Sequence, residues 1–195
     1  MSEQRAIWTI GHSNHDISTL LNLLQGEHIE VLADVRSSPF SRFNPHFNQK
    51  PLKSSLGEAK VRYVFLGKEL GGRPPESEFF DDEGHVLYGE VAKTSRFLAG
   101  LDRLLDGSSQ FRVAMMCSEE NPTDCHRRLL VTRVLVERGL PVVHIRGNGT
   151  TISEADLAVE RDRPAQPALF GQEDAPWRST QSVSQSTPQR ISSSR

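Results

Sequence analysis

Cys117, Cys125, His126 and Arg127 stand close together in the stretch Phe111 to Leu130, FRVAMMCSEENPTDCHRRLL. These residue types carry thiol, acid–base and metal chemistry. Cys117 closes the apolar run Val113-Ala114-Met115-Met116, a polar loop follows, and Asp124 opens a pattern of helical period. The stretch therefore reads as strand, loop and helix, with both cysteines of the chain at the ends of the loop. With Asp124 as N-cap, Cys125 falls in the first turn, where unpaired N–H groups and the helix dipole favour a thiolate. Cys125 is thus the candidate nucleophile. His126 is its neighbour, and neighbours in a helix diverge by about a hundred degrees, so a base from another strand end is expected. His12 and Asp34 are the candidates for such chemistry, and Glu119 is a second carboxylate of interest. Cys117 fits catalysis and a small buried residue at a strand end equally well.

Other chemistries fit less well. Cys117-x7-Cys125-His126 could ligate zinc, with His12 or His15 completing a tetrahedral set, but the spacing matches no common zinc pattern. Zinc is the lesser reading, and no cofactor is assigned. A Cys-x5-Arg phosphatase loop is absent because Thr123 stands six residues after Cys117, and a rhodanese-like loop lacks support for the same reason. Gly67-Lys68 and Gly71-Gly72 lack the Gly-Lys-Ser/Thr that closes a P-loop.

The elements that must position these residues follow a regular alternation. Ala6 to Ile10 reads as a strand, and Ile17, Leu20, Leu21 and Leu24 form one face of a helix that Gly26 ends. Val31 to Val35 and Tyr63 to Leu66 read as further strands, with a short helix over Lys50 to Lys60 between them. Phe97 to Leu105 gives an amphipathic helix closed by Gly107. The helix after Cys125 buries Leu130, Val131, Val134 and Leu135 and turns Arg128, Thr132, Arg133 and Glu137 outward. Val142 to Ile145 is the fifth strand, and a last helix capped by Ser153 reaches Glu160. Alternation of this kind predicts one α/β domain over residues 6–163, with a mainly parallel sheet of about five strands flanked by helices. Gly11-His12-Ser13, Asp34-Val35-Arg36, Gly71-Gly72-Arg73, the Cys117 loop and His144-Ile145-Arg146 all follow predicted strands, so they converge on one sheet edge, the place where open α/β sheets bind ligands.

Charge is unevenly spread. The whole chain of 195 residues carries −2, yet residues 36–73 hold eight Lys or Arg against Glu58 and Glu69, a net of +6. Phe40, Phe43 and Phe47 are interleaved there with Arg42, Asn44 and His46. Rings for stacking and cations for phosphates make this a candidate nucleic-acid or phosphate surface, with Arg36, Arg42, Arg73, Arg127, Phe43 and His46 as contacts. The plainer alternative is a solvated basic loop whose phenylalanines fill the core. Beyond Arg163 the chain turns polar, and residues 164–195 are expected to form a flexible tail, disordered from Trp177 onward. Gln166-Pro167-Ala168-Leu169-Phe170, at the head of that tail, resembles the Q-x-x-L-F peptide by which bacterial replication and repair proteins dock on the DNA sliding clamp. Leu169 and Phe170 would fill an apolar pocket while Gln166 makes hydrogen bonds. No run of eighteen apolar residues and no basic-then-apolar leader occurs, and the two cysteines suit reduced thiols, so a cytoplasmic protein without a membrane partner is expected.

Four blocks, Thr9 to Ser13, Asp34 to Pro39, Leu66 to Pro74 and Cys117 to Arg127 with its Cys-His-Arg ending, together resemble the uncharacterised bacterial domain-of-unknown-function family 488. The resemblance covers about residues 6–160 and implies an α/β domain in the bacterial cytoplasm with no assigned reaction. Three readings compete. The strand-end site acts on a nucleic-acid or nucleotide-type phosphorylated ligand in replication or repair. It is a non-catalytic DNA- or clamp-binding adaptor. Or it is a metal- or thiol-dependent enzyme on a small anionic metabolite.

Overall fold

Short apolar runs separated by helical segments build a layered sheet, which the computed structural model describes over residues 6–161 and 176–182. The strands are β1 (Ile7–Gly11), β2 (Val31–Asp34), β3 (Arg62–Phe65), β4 (Val113–Cys117), β5 (Val142–Ile145) and β6 (Thr151–Ser153). Their order across the sheet is β3-β2-β4-β1-β5-β6. The first five are parallel, and β6 adds an antiparallel edge beside β5. The expected five parallel strands are thus present, and a sixth was hidden in the turn after Ile145 because three residues carry no readable period.

The helices are α1 (Ile17–Gly26), α2 (Gln49–Glu58), the single turns α3 (Gly67–Leu70) and α4 (Tyr88–Val91), α5 (Ser95–Gln110), α6 (Arg133–Glu137) and α7 (Glu154–Arg161). Asp16 starts α1 by accepting from the Thr19 N–H, and Thr94 starts α5 by accepting from the Phe97 N–H. Helices cover both faces. Leu20 and Leu24 of α1 and Leu52 and Leu56 of α2 pack on Trp8, Ile10, Ala114 and Met116. Phe97, Leu101 and Leu104 of α5 and Leu130, Val134 and Leu135 pack on Ile7, Ala33, Val113 and Met115 on the other face. Residues of β4 alternate between the two cores, as strand geometry requires.

Two departures from the expected elements matter for the site. Gly107 does not end α5, which runs on to Gln110; a helix held by a buried apolar face tolerates one glycine at about 1 kcal/mol. The helix leading into α6 is π-wound over Arg127–Thr132. Its wider turn rotates Thr132 inward, where the residue is buried and its hydroxyl donates to the Arg127 carbonyl at 2.8 Å. Thr132 therefore does not face solvent as its spacing suggested.

One short part of the polar C-terminal stretch departs from expectation. Gln166, Leu169 and Phe170 lie outside the described residues. Residues 176–182 return to the body: Trp177 Nε1 donates to the Leu129 carbonyl at 2.6 Å, and the Trp177 carbonyl accepts from the Gly89 N–H at 3.1 Å. Arg178 pairs with Asp81 and Glu83, and Ser179 is buried against Val86. A lone tryptophan in a polar stretch was the signal for this docking. The Arg133 guanidinium lies 4.3 Å from its ring centroid. Replacing this half-buried ring, Trp177→Ala, should cost about 2–3 kcal/mol, read as a lower urea midpoint of the full chain; an unchanged midpoint would mean that the segment adds nothing to stability.

Candidate functional site

The carboxyl ends of three neighbouring strands form one row. Gly11 stands opposite Cys117, and Asp34 stands opposite Met116. The chain keeps this register past the strands, with the His12 N–H on the Cys117 carbonyl at 2.9 Å and the Val35 N–H on the Met116 carbonyl at 3.0 Å. A Cβ at Gly11 would sit 1.7 Å from the Glu119 carbonyl oxygen. Only glycine lets the loop after Cys117 fold back over the end of β1.

That fold-back gathers four groups. Cys117 Sγ donates to Glu119 Oε2 at 2.9 Å, and Cys125 Sγ lies 3.1 Å from the same oxygen. His126 Nδ1 lies 3.5 Å from Cys117 Sγ and 4.0 Å from Cys125 Sγ. The other ring nitrogen, Nε2, donates to the Val35 carbonyl at 2.9 Å, which leaves Nδ1 facing the sulfurs. The first helical hydrogen bonds here, from the Arg128 and Leu129 N–H groups, go to the Cys125 carbonyl. Cys125 thus precedes the helix, and the divergence of helical neighbours does not keep its sulfur from the His126 ring.

The thiols are pushed apart in acidity. The hydrogen bond with Cys125, together with burial, raises Cys117 well above an ordinary thiol. Burial opposes charge on Cys125, yet the hydrogen bonds of Cys117 and His126 and the charge of Arg127 outweigh it and bring Cys125 down to about 5. Burial opposes charge on His126 too, but the Cys125 and Glu119 charges win and raise it. These directions favour charge on Cys125 and His126 and oppose it on Cys117. Glu119 is itself brought down to about 2: burial works against its charge, and the contacts with the two cysteines more than offset that.

Several sequence candidates stand at this edge but are fully engaged. Asp34 accepts from the Arg36 N–H, Nε and Nη2 and from the Tyr63 hydroxyl, at 2.7–3.1 Å. Four donors leave it no free lone pair for a substrate proton. Arg36 is buried and also donates to the Phe47 carbonyl and to His12 Nε2. His12 donates from Nδ1 to the Ser13 carbonyl, so both ring nitrogens are used. Arg127 is 0% exposed, with its guanidinium on Thr9 Oγ1 and on the Glu119 and Glu120 carbonyls. Arg127 is thereby closed to solvent, whereas Arg36, buried as it is, lines the cleft above the cluster. His46 is tied to the His15 carbonyl and stacks on Phe47, a core residue. His15 stays outside the sulfur cluster as well, beside Gly147. Arg42 and Arg73 are exposed, and so are Phe40 at 65% and Phe43 at 88%.

Above the cluster lies an open cleft of about 290 Å³, with Cys117, Glu119 and His126 in its floor and Phe40, Gly72 and Arg73 among its walls. Ser179, Thr180 and Gln181 complete its rim, which sequence reasoning missed together with the buried Tyr88. Cys117 lines the cleft and Cys125 does not. Glu119 had a weak signal, a carboxylate two residues past a strand-end cysteine; Tyr88 had none. Two described groups could hold a metal: Cys117 with Cys125 and His126, and Asp81 with Glu83 and His85. In the second, the Arg178 guanidinium already lies 2.5 and 2.9 Å from the two carboxylates.

The model of a protein family described as "Domain of unknown function DUF488" matches residues 16–142 of the chain. No curated protein matches it.

The His12 tautomer makes a pH prediction. Burial, foremost, and the Arg36 charge lower His12 to about 4 against a Ser13 contact that raises it. Between about pH 4 and 6.5 the unfolded chain therefore binds the extra proton, so this contribution to stability is full above that interval and is lost as pH falls through it. Its size is at most about 3 kcal/mol. Urea unfolding from pH 7 to 4 should fall less steeply in His12→Gln than in the parent; parallel curves would mean that His12 takes up its proton in the folded state as easily as in the unfolded one.

Proposed function

The chain belongs to the DUF488 family, and from that premise, which carries no reaction, we propose that its strand-edge cleft binds a phosphorylated ligand of nucleotide type, free or within nucleic acid, over the Cys117–Glu119–Cys125–His126 cluster. The observation that carries this reading is the pairing of Phe40 with Arg73 in the cleft wall. Both are exposed, and Arg73 has no ion-pair partner among the described residues. An exposed ring suits stacking by a base, and a guanidinium suits a phosphate through paired N–H donors. The segment that carries Arg73 is basic as a whole. Seven of the eight cations in residues 36–73 (Arg42, Lys50, Lys53, Lys60, Arg62, Lys68 and Arg73) are exposed, and Arg36 alone is buried. Of these, Lys60 and Arg62 stand at the start of β3, on the far edge of the sheet, while Arg73 lines the cleft itself, where its charge attracts an anion. The cluster in the floor supplies the groups for chemistry on what binds above: a thiol, a carboxylate and an imidazole held in a fixed tautomer.

Titration of the full chain with nucleoside monophosphates and short single-stranded oligonucleotides tests the reading. Phe40→Ala and Arg73→Ala should each weaken binding by about 1–3 kcal/mol, roughly 5- to 150-fold, and added salt should weaken it further. No binding by either probe class, or binding that both substitutions leave unchanged, would sink it.

Recruitment through Gln166, Leu169 and Phe170 to a DNA sliding clamp belongs to the same proposal. Its support is the Q-x-x-L-F pattern and its place in the sequence between α7 and the docked segment that begins at Pro176. Two apolar anchors at about 1.5–3 kcal/mol each would carry most of the affinity of so short a peptide. Calorimetry against the clamp should show micromolar binding that Leu169→Ala/Phe170→Ala abolishes; equal binding by the double variant would make the pattern a coincidence.

A further inference from the structure

We propose that Cys117 Sγ, Cys125 Sγ and His126 Nδ1, with the Glu119 carboxylate beside the sulfurs, form a binding site for one thiophilic divalent cation of the zinc class. The distances come first. The ligand atoms of the two cysteines and His126 all lie within 4.8 Å of one another. A tetrahedral ion with bonds of about 2.3 Å to sulfur and about 2.0–2.1 Å to nitrogen separates a sulfur from a nitrogen by about 3.5 Å. The observed separations are 3.5 and 4.0 Å. Glu119 Oε2, at 2.9 and 3.1 Å from the sulfurs, stands beside this three-residue set, and the fourth tetrahedral position falls to a water or a bound ligand.

The surroundings are those of a ligand set. Metal-bound histidines characteristically donate their second N–H to a carbonyl or carboxylate, which fixes ring and tautomer. His126 Nε2 does so to the Val35 carbonyl, with Nδ1 left toward the sulfurs. Gly72 backs the ring so closely that a Cβ there would lie 2.4 Å from His126 Cγ. Charge also balances. Two thiolates and a carboxylate around a dication leave one negative charge, and the buried Arg127 beside them has, among the described residues, only a hydroxyl and two carbonyls as hydrogen-bond partners. On binding, each sulfur still protonated releases its proton to solvent and its lone pair goes to the ion. The Asp81–Glu83–His85 group lacks these features, and the Arg178 guanidinium already fills the cation's role there.

This inference rests on ligand geometry and not on the nucleotide reading. The test is a titration of the reduced full-length chain with Co²⁺, followed by thiolate-to-metal charge-transfer and ligand-field absorption, then displacement by Zn²⁺. Expected are saturation at one equivalent, intense bands of tetrahedral type, and loss of charge transfer in the Cys117→Ser/Cys125→Ser double variant. Glu119→Gln should keep the thiolate bands at lower affinity. Gly72→Ala, which displaces the His126 ring, should weaken binding by about 10–100-fold. A parent chain without charge-transfer absorption overturns the proposal, and so does a band that survives removal of both cysteines; the parent spectrum decides even where a variant fails to fold. Nucleotide titrations repeated with a chelator present keep the two proposals separable.

Discussion

The geometry of the site depends on one buried charge. Arg127 is 0% exposed, and its guanidinium is held by Thr9 Oγ1 and by the Glu119 and Glu120 carbonyls. Burying an uncompensated guanidinium costs several kcal/mol, so the loop after Cys117 must present those carbonyls inward or leave the charge bare. Turning the loop inward sends Glu119 back over the sulfurs and sends the Glu120 side chain to Arg146 and the Gly147 N–H. The π-wound segment that begins at Arg127 and the missing Cβ at Gly11 are two further conditions of the same packing. Thr9 ties the arrangement to β5 through His144, whose other nitrogen meets Glu154 at 2.7 Å.

The polar residues at the strand edge fall into two kinds. Asp34, Arg36, Tyr63 and His12 satisfy one another and fix the exit of β2 against Phe47. A buried network of this kind chiefly specifies structure, although Arg36 also borders the cleft. Cys117, Glu119 and His126 instead line the cleft, where the exposed Arg73 and Phe40 stand in the wall. Most of the residue types that drew attention in the sequence belong to the first.

The docked segment 176–182 adds a boundary that a simple core-and-tail division misses. Ser179, Thr180 and Gln181 line the cleft, and Trp177 packs beside the helix that carries His126 and Arg127. Whatever enters the cleft meets a wall contributed from far along the chain. The family match ends at residue 142, so this rim stands outside the matched stretch.

The sequence by itself determined the elements, their alternation and the edge at which they converge. Hydrophobic period and a cap such as Ser153, which accepts from the Asp156 N–H, act over a few residues, and strands that alternate with helices leave the strand ends pointing one way. The same local patterning made the Cys117–Cys125 loop and the family resemblance legible. Only the tertiary structure decided which charges are spent and which are free. Arg36 and Arg73 look alike in sequence, but one is buried against Asp34 and the other is exposed in the cleft wall. That difference comes from pairing across strands, as when Tyr63 reaches Asp34 or Thr9 reaches Arg127. Burial and hydrogen-bond saturation belong to the packed assembly, and no window of neighbouring residues contains them.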